Sequence, residues 1–241
     1  MSVYEISRIK DLTGSNPYVG RGIVIGRSPS GKAAVAYFIM GRSENSRNRI
    51  FDIAKDGSVY TRPFDESKVE DPSLIIYRAV APMENHLIVT NGDQTDTVYD
   101  AVKAGKSFRD ALMTREFEPD APNFTPRISG MITVGEDDFS YEMSILKSAD
   151  EKGSACSRFF YNYPAICGLG HFIHTYQGDG NPLPTFQGEP KRVEIPENID
   201  EFTREIWDNL NEENKISLYV MYADLGSGTV ETRLINKNEQ R

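Results

Sequence analysis

The chain has 241 residues, 39% of them hydrophobic and 26% charged, with a formal net charge of -9 and a pI near 5.0. This length is enough to bury a sizeable core, and the acidic balance argues against general binding of nucleic acid, which favours a basic surface. No apolar run approaches the roughly 18 residues of a membrane span, and the N-terminus lacks a signal-peptide pattern. We therefore expect a cytoplasmic protein with neither a membrane nor a nucleic acid as its partner.

The first half of the chain predicts strands joined by hairpins. Residues 1–17 are a polar, irregular lead-in, and the turn sequences Ser28-Pro29-Ser30-Gly31-Lys32 and Asp56-Gly57 separate apolar runs. The runs predict strands over residues 19–27, 33–40, 50–53, 58–62, 74–80 and 86–90.

Helices enter the prediction after the strand that ends at residue 90. Residues 95–104 and 107–116 are helical in pattern, with Thr95 or Asp96 as the N-cap of the first and Gly105 as its stop. Residues 199–211 form the clearest amphipathic helix. Further strands are predicted over residues 128–134, 139–146, 158–163, 170–176, 216–223 and 229–235, with a glycine- and proline-rich loop over 177–190. Many hairpins and few helices indicate one α+β domain over residues 1–241, with mostly antiparallel sheets and helices on their outer faces.

An arginine-rich segment follows the second predicted strand. Residues 41–49 contain Arg42, Arg47 and Arg49 but one acidic residue, Glu44. Guanidinium groups match phosphate and carboxylate in shape and charge, so the segment predicts the phosphate-binding edge of a small-molecule site. A solvated arginine-rich loop is the alternative. Two more arginines would join the segment if the strands pair as predicted, namely Arg21 and Arg127.

The segment Asn91-Gly92-Asp93-Gln94-Thr95-Asp96 lies between a strand and a helix. Free backbone N–H groups at a helix start attract anions, and Gly92 lets a ligand approach the backbone. We predict that this turn binds substrate through Asn91, Gly92, Thr95 and Asp96. Its alternative interpretation is an ordinary turn followed by a helix cap.

Four other residues are candidates whose individual signals are weak. Tyr77 lies within an apolar strand pattern, where most tyrosines are core residues, and Glu118 lies in a proline-bearing loop, where most acids are exposed. Thr175 and Gln177 share a face of a predicted strand and could hydrogen-bond a heterocycle or an amide, although an aromatic strand entering a turn explains them equally well.

Cysteine and histidine usage indicates no metal site. Cys156, Cys167 and three histidines match no metal-site spacing. Two buried, reduced thiols are favoured over a disulfide, although a bridge between neighbouring strands is geometrically allowed. We expect neither a metal nor an organic cofactor.

Several of these segments, taken in order, resemble the archaeal-type IMP cyclohydrolase family. The matching pieces are Tyr18-Val19-Gly20-Arg21, Ala36-Tyr37, Arg42-Ser43, Asn48-Arg49, Tyr77, Asn91-Gly92, Thr95-Asp96, Glu118 and Thr125-Pro126-Arg127-Ile128. They span about residues 18–130, and it is their order and spacing that carry the resemblance, because no single piece is diagnostic. The last hundred residues match weakly, and the 174–186 loop is interpreted as a bacterial elaboration.

The resemblance implies a four-layer αββα sandwich like that of the N-terminal-nucleophile hydrolases, without use of a terminal nucleophile. It implies closure of 5-formamidoimidazole-4-carboxamide ribonucleotide to IMP, with Tyr77, Glu118 and an arginine at the site. Where the family has Tyr-Arg after the second strand, this chain has Tyr37-Phe38. The catalytic guanidinium is therefore expected from Arg42, or else from Arg47.

Two other functions stay open at this point. One is an amide hydrolase of the terminal-nucleophile type, and the other is a purine-nucleotide-binding protein without catalysis. No Gly-x-Ser-x-Gly motif is present, and both cysteines lie in apolar settings, so a nucleophilic hydrolase is disfavoured. The expected partner is a small-molecule ribonucleotide. A homo-oligomer is compatible with the sequence, which leaves the oligomeric state and any formylating partner open.

Overall fold

A computed structural model describes residues 4–69, 76–136 and 138–239. Its strands are β1 (Arg21–Arg27), β2 (Ala33–Met40), β3 (Arg49–Ile53), β4 (Val59–Pro63), β5 (Arg78–Met83), β6 (His86–Thr90), β7 (Arg127–Val134), β8 (Phe139–Ser148), β9 (Cys156–Pro164), β10 (Leu169–His174), β11 (Lys191–Glu194), β12 (Lys215–Asp224) and β13 (Thr229–Asn236). Its α-helices are α1 (Ile9–Thr13), α2 (Glu44–Arg47), α3 (Gln94–Lys103), α4 (Phe108–Leu112) and α5 (Ile199–Asn209).

The strands form two sheets. Sheet I has six strands in the order β11-β10-β1-β2-β12-β13, and sheet II has seven in the order β3-β4-β5-β6-β7-β8-β9. Every pair of neighbouring strands within the sheets is antiparallel, and two of the three isolated bridges are parallel. The predicted α+β class with mostly antiparallel sheets is confirmed.

Three hydrophobic clusters show how the sheets and helices pack. The largest contains residues of both sheets, among them Ile23 of β1 and Ile128 of β7, and therefore lies between them. A second joins sheet I to α1 and α5 and contains the fully buried Phe202 of α5. The third joins sheet II to α3 and α4, with Phe108 fully packed. Each sheet thus has one face toward the other sheet and one face toward helices.

Local sequence explains the central elements. Every residue of β2 is buried, as expected for a continuous apolar run in a strand covered on both faces. In α5 the side chain of Asn198 accepts hydrogen bonds from the backbone N–H groups of Asp200 and Glu201, a cap that contributes about 1 kcal/mol. Ile199, Phe202 and Ile206 recur at helical spacing and are buried, so the predicted helix over 199–211 is confirmed.

Short elements were the ones that the sequence did not predict. The helices α1 and α2 and the strand β11 have at most five residues each, too few for a periodic pattern. The predicted strand over 74–80 was wrong in its start, because β5 begins at Arg78 and Tyr77 precedes it; residues 70–75 lie outside the described part. The expected N-cap at Thr95 or Asp96 was also wrong, since α3 begins at Gln94 after Asp93.

Both cysteines are free thiols. Cys156 begins β9 and is partly buried, whereas Cys167 lies in the connection to β10 and is exposed, so the expectation of two buried thiols was wrong for Cys167. Among the described residues, no helix is long and apolar enough to cross a membrane.

Candidate functional site

Two phenols meet between the sheets. The hydroxyls of Tyr37 in β2 and Tyr77 before β5 are 2.7 Å apart, and we call them the phenol pair. Tyr37 is fully buried and Tyr77 is 6% exposed. The backbone of Tyr77 is held by Thr61, whose N–H donates to the Tyr77 carbonyl at 2.9 Å and whose hydroxyl accepts from the Tyr77 N–H at 3.0 Å. Burial raises the pKa of both phenols, so both are protonated at neutral pH.

Two guanidiniums flank the phenol pair. Arg49, at the start of β3, is 2% exposed, and its Nε donates to the Ser46 carbonyl at 2.7 Å. Burial, followed by the nearby charge of Arg21, lowers the pKa of Arg49. Burial also acts to lower the pKa of Arg21, but the negative charge of Glu118 and the neighbouring tyrosines outweigh it, and the net shift is upward. Among the described residues, the enclosed Nε of Arg21 has no hydrogen-bond partner.

The carboxylate of Glu118 lies near these arginines, whose charges act on its pKa. It is 6% exposed, and burial raises its pKa although Arg21 and Arg127 oppose the shift. Its Oε1 lies 3.9 Å from Nη1 of Arg127, at the start of β7. A Cβ on Gly92 would lie 2.6 Å from that Nη1 and 3.3 Å from Oε1 of Glu118. Glycine at position 92 is therefore what allows the carboxylate and the guanidinium to approach the turn.

Six residues from both sheets and the loop before β7 make up what we call the buried cluster; five of them are at most 8% exposed, and the sixth, Arg21, is partly exposed although its Nε is enclosed. They are Arg21, Tyr37, Arg49, Tyr77, Glu118 and Arg127. Five of the six were singled out from the sequence as candidates. Tyr37 was not, although its place in a family-like motif was a signal.

The loop that carries Glu118 is fixed by its own side chains. The Glu118 N–H donates to the Thr125 carbonyl at 2.9 Å, and the carboxylate of Asp120 accepts from the Thr125 N–H at 2.6 Å. The Thr125 hydroxyl in turn lies 2.6 Å from the hydroxyl of Tyr176. Asp120 and Tyr176 were not predicted as site residues, because nothing in their local sequence distinguishes them from loop and core residues.

The turn after β6 is built from internal hydrogen bonds. The side chain of Asn91 donates to the Pro126 carbonyl at 2.9 Å and accepts from the Ile128 N–H at 2.8 Å. Thr95 is fully buried and its hydroxyl lies 2.7 Å from that of Thr90. Asp96 points away and pairs with Arg78 at 2.6 Å. Gly92 is thus the member of this set that meets the buried cluster.

Arg42 and Arg47 lie outside the buried cluster. Arg42 pairs with Asp179, donates to the Gly180 carbonyl at 2.9 Å and covers the ring of Tyr18, 5.2 Å from its centroid. Arg47 donates to the Gly41 carbonyl at 3.1 Å and the Asn214 side chain at 3.0 Å. It lines a surface cavity of about 790 Å³ whose lining does not include Tyr77 or Glu118.

Thr175 and Gln177 have structural partners. The Thr175 hydroxyl is fully buried, accepting from the Arg21 N–H at 3.1 Å and donating to the Val19 carbonyl at 3.2 Å. Gln177 is exposed, and its backbone bonds to Pro184 and Asn16. Neither side chain is placed at the phenol pair, although Thr175 fixes the backbone of Arg21.

The electrostatics of the buried cluster suit an anion. Arg127 is balanced by Asp93 at 2.6 Å, while Arg21 and Arg49 lie near the carboxylate of Glu118, and burial raises the pKa of that carboxylate. Buried charges are costly unless paired. Among the described residues, no group of histidine, cysteine and acidic side chains could hold a metal ion.

Comparison with known proteins points to one family. Residues 18–228 match the model of a family described as IMP cyclohydrolase-like protein. An IMP cyclohydrolase of Methanococcus maripaludis strain S2 is 33% identical over 146 residues, which are 57% of this chain and 71% of the relative. IMP cyclohydrolases of Methanopyrus kandleri and Methanosphaera stadtmanae are both 33% identical, over 123 and 124 residues respectively. In each case the match covers 49% of this chain and 60% of the relative.

Proposed function

Because the chain belongs to the IMP cyclohydrolase-like family and its function is that of an IMP cyclohydrolase, we propose that the buried cluster is the site of ring closure. The substrate would be 5-formamidoimidazole-4-carboxamide ribonucleotide, and the products IMP and water. The single observation that carries this assignment is the pair of guanidiniums, Arg21 and Arg49, around two neutral phenols and near the carboxylate of Glu118.

In this proposal the excess positive charge holds the 5′-phosphate. Within the described part of the chain, the enclosed Nε of Arg21 has no partner, and the Arg49 side chain donates to the backbone carbonyls of Ser46 and Met40. A phosphate offers both guanidiniums an anionic acceptor of matching geometry. Arg42 and Arg47 receive no direct contact here, since their guanidiniums are engaged at the surface; their predicted roles stay untested.

The chemistry joins two groups already attached to one imidazole ring. The carboxamide nitrogen attacks the formyl carbon, a C–N bond forms, and the formyl oxygen becomes a tetrahedral oxyanion. That nitrogen and the formamide nitrogen each lose one proton, and the oxygen leaves as water. The tethered groups need mainly to be held in a near-attack geometry, while the developing oxyanion needs a donor and the amide a base.

Tyr77 and Glu118 fit the donor and base roles by their environments. Tyr77 keeps its proton at neutral pH because burial raises its pKa, so it can donate to the formyl oxygen. Burial also raises the pKa of Glu118, which makes its carboxylate a stronger base for the carboxamide proton. Arg127, 3.9 Å from Glu118, would hold that carboxylate in place.

The arrangement of the clusters supports the finer fold assignment. We infer a four-layer αββα sandwich like that of the N-terminal-nucleophile hydrolases, because one hydrophobic cluster lies between the sheets and one lies under the helices of each outer face. An amide hydrolase using Ser2 as terminal nucleophile would need that residue, which lies outside the described part. The proposed catalytic groups, Tyr77 and Glu118, are instead internal side chains and require no free N-terminus.

The proposal is tested by following ultraviolet absorbance as the formylated ribonucleotide is converted to IMP. We expect Tyr77→Phe to lower kcat about 10²–10³-fold, as for loss of one oxyanion donor, and Glu118→Gln about 10²–10⁴-fold, as for loss of a general base. Binding of IMP, measured by calorimetry, should change little in either variant. The acid limb of the wild-type rate profile should lie above the ordinary pKa of glutamate, since the base must be ionised.

Three outcomes separate the alternatives. No conversion above the uncatalysed rate, together with IMP binding, would select a nucleotide-binding protein. Release of ammonia from amides, lost when Ser2 is replaced, would select the hydrolase. Full activity in both Tyr77→Phe and Glu118→Gln would leave the reaction standing and remove these two roles.

A further inference from the structure

Tyr37 lies within hydrogen-bond distance of the proposed oxyanion donor, Tyr77. Its hydroxyl lies 2.7 Å from that of Tyr77, within hydrogen-bond distance, and its ring stacks on Phe51 with centroids 5.3 Å apart. The side chain is fully buried in the middle of β2, a central strand of sheet I. A phenol at such a position can occupy few orientations, so its hydroxyl is well placed to control a partner.

The two hydroxyls of the phenol pair carry one proton each, and only one of these protons can form the hydrogen bond between them. Burial raises the pKa of both phenols, so each carries its proton at neutral pH. One of these protons lies between the two oxygens. The other belongs to whichever tyrosine accepts that bond, and it must find an acceptor of its own or remain unsatisfied.

The surroundings decide which tyrosine accepts. Among the described residues, no acceptor other than Tyr77 lies within hydrogen-bond distance of the Tyr37 hydroxyl, and the charged groups nearest it, Arg21 and Arg49, are donors only. If Tyr77 donated to Tyr37, the Tyr37 proton would be buried without a partner, which costs about 1–3 kcal/mol. Tyr77 is 6% exposed and lies beside Glu118, where the substrate would bind.

We propose that Tyr37 is a positioning residue that donates its proton to Tyr77 and thereby turns the Tyr77 proton toward the formyl oxygen of the substrate. Tyr37 itself does not touch the reacting atoms. Because a lone pair of the Tyr77 oxygen accepts the proton of Tyr37, the Tyr77 hydroxyl is already oriented to donate to the oxyanion. This inference rests on the proposed function, because it assigns Tyr77 the donor role.

The chain offers a matched control for removing the Tyr37 hydroxyl. Tyr219 of β12 is the direct cross-strand neighbour of Tyr37, belongs to the same inter-sheet cluster and is 2% exposed. Tyr219→Phe removes the hydroxyl of a buried tyrosine on the adjacent strand, and among the described residues that hydroxyl has no hydrogen bond to Tyr77. A loss of rate that came from general loosening of the core should appear in both variants.

The experiment is a double-mutant cycle in kcat for ring closure, using wild type, Tyr37→Phe, Tyr77→Phe and the variant carrying both changes. We expect Tyr37→Phe to lower kcat about 5- to 10-fold, as for one hydrogen bond, with KM nearly unchanged and Tyr219→Phe close to wild type. In the Tyr77→Phe background, Tyr37→Phe should have no further effect, because the hydroxyl that it orients is gone.

Additive losses in the cycle, or an equal loss of kcat in Tyr37→Phe and Tyr219→Phe, would overturn the role of Tyr37 while leaving the reaction intact. An inactive wild-type protein would instead overturn the proposed function itself. Thermal unfolding of each variant confirms that it is folded, and the Tyr219→Phe result provides the comparison where Tyr37→Phe proves less stable.

Discussion

The arginines of the nine-residue segment 41–49 differ in burial, since one is enclosed and the others lie at the surface. Arg49 begins β3 and is 2% exposed beside the phenol pair, whereas Arg47, two residues earlier, lies on the surface and bonds to Asn214. Between the two ends, the capping box of Ser43 and Ser46 starts the short helix α2, which turns the chain back toward sheet II. Arg47 ends this helix on the surface, and the chain then enters β3 with Arg49 facing inward.

The comparison teaches that a cluster of arginines in sequence need not be a cluster in space. Arg49 lies near Arg21 and two phenols that are distant along the chain, and burial together with the charge of Arg21 lowers its pKa. A bound anion would compensate this buried positive charge. Arg42 already has Asp179, and Arg47 has neutral oxygen acceptors. Binding is therefore expected to depend on the environment of each guanidinium and only weakly on their number.

The largest effect on the affinity for IMP should come from Arg49→Met. This variant removes a buried guanidinium from the proposed phosphate site, and a hydrogen bond between charged groups contributes about 1.5–3 kcal/mol, or roughly 10- to 100-fold in affinity. Arg47→Met removes the same charge from the surface, where solvent screens it, and should weaken binding less than about 3-fold. Calorimetric titration with IMP measures both.

The comparison between the two arginines breaks if Arg47→Met weakens IMP binding as much as Arg49→Met does. The ligand would then lie in the 790 Å³ surface cavity that Arg47 lines together with Lys68 and Lys237. Inosine, which lacks the phosphate, provides the check on the assigned group: its affinity should be equal for wild type and Arg49→Met.

A smaller effect is expected from Gly92→Ala. The added methyl would lie 2.6 Å from both Nη1 of Arg127 and the side-chain oxygen of Gln94, so these side chains must move. Overpacking of this kind costs about 1–3 kcal/mol, and the displaced Arg127 no longer holds Glu118. We expect a lower melting temperature and a several-fold lower kcat, measured by calorimetry and by the absorbance assay.

Gly226→Ala is the matched control for the glycine. A Cβ at position 226 would meet the Asp224 carboxylate at 3.4 Å, an ordinary contact in an exposed turn. Its melting temperature and kcat should remain those of wild type. If Gly92→Ala behaves in the same way, the close approach of Arg127 and Glu118 to the turn is not required for activity.

How much of this was predictable follows from the range of the interactions. The apolar runs of β1 and β2 and the helical pattern of α5 were visible because each extends over seven or more residues. Tyr77, Glu118 and Arg127 could be named because their order matches a family. The contact of Tyr37 with Tyr77 and the bond from Thr125 to Tyr176 join residues 40 and 51 positions apart. No local pattern encodes such contacts, since they arise only when the sheets pack.

The smallest expected effect is on stability and concerns Glu118. Burial raises the pKa of Glu118 in the folded protein above its ordinary value of 4.5. Well below pH 4.5 the carboxyl is protonated in both the folded and the unfolded chain, so its charge does not change the free energy of unfolding. As the pH rises through the folded pKa, the unfolded chain has already lost the proton and the folded protein must bury a charge, so stability is lost.

Glu118→Gln removes that charge and should therefore stabilise the ligand-free protein at neutral pH. We expect its melting temperature to equal that of wild type near pH 4 and to exceed it at pH 7 to 8, measured by calorimetry across the range. A lower melting temperature of Glu118→Gln at pH 7 would mean that attraction to Arg21 and Arg127 outweighs the cost of burial. The Glu118 carboxylate would then act as a structural ion pair, as Asp96 does with Arg78. Among the buried charges, only Arg49 would then differ from the surface charges in its effect.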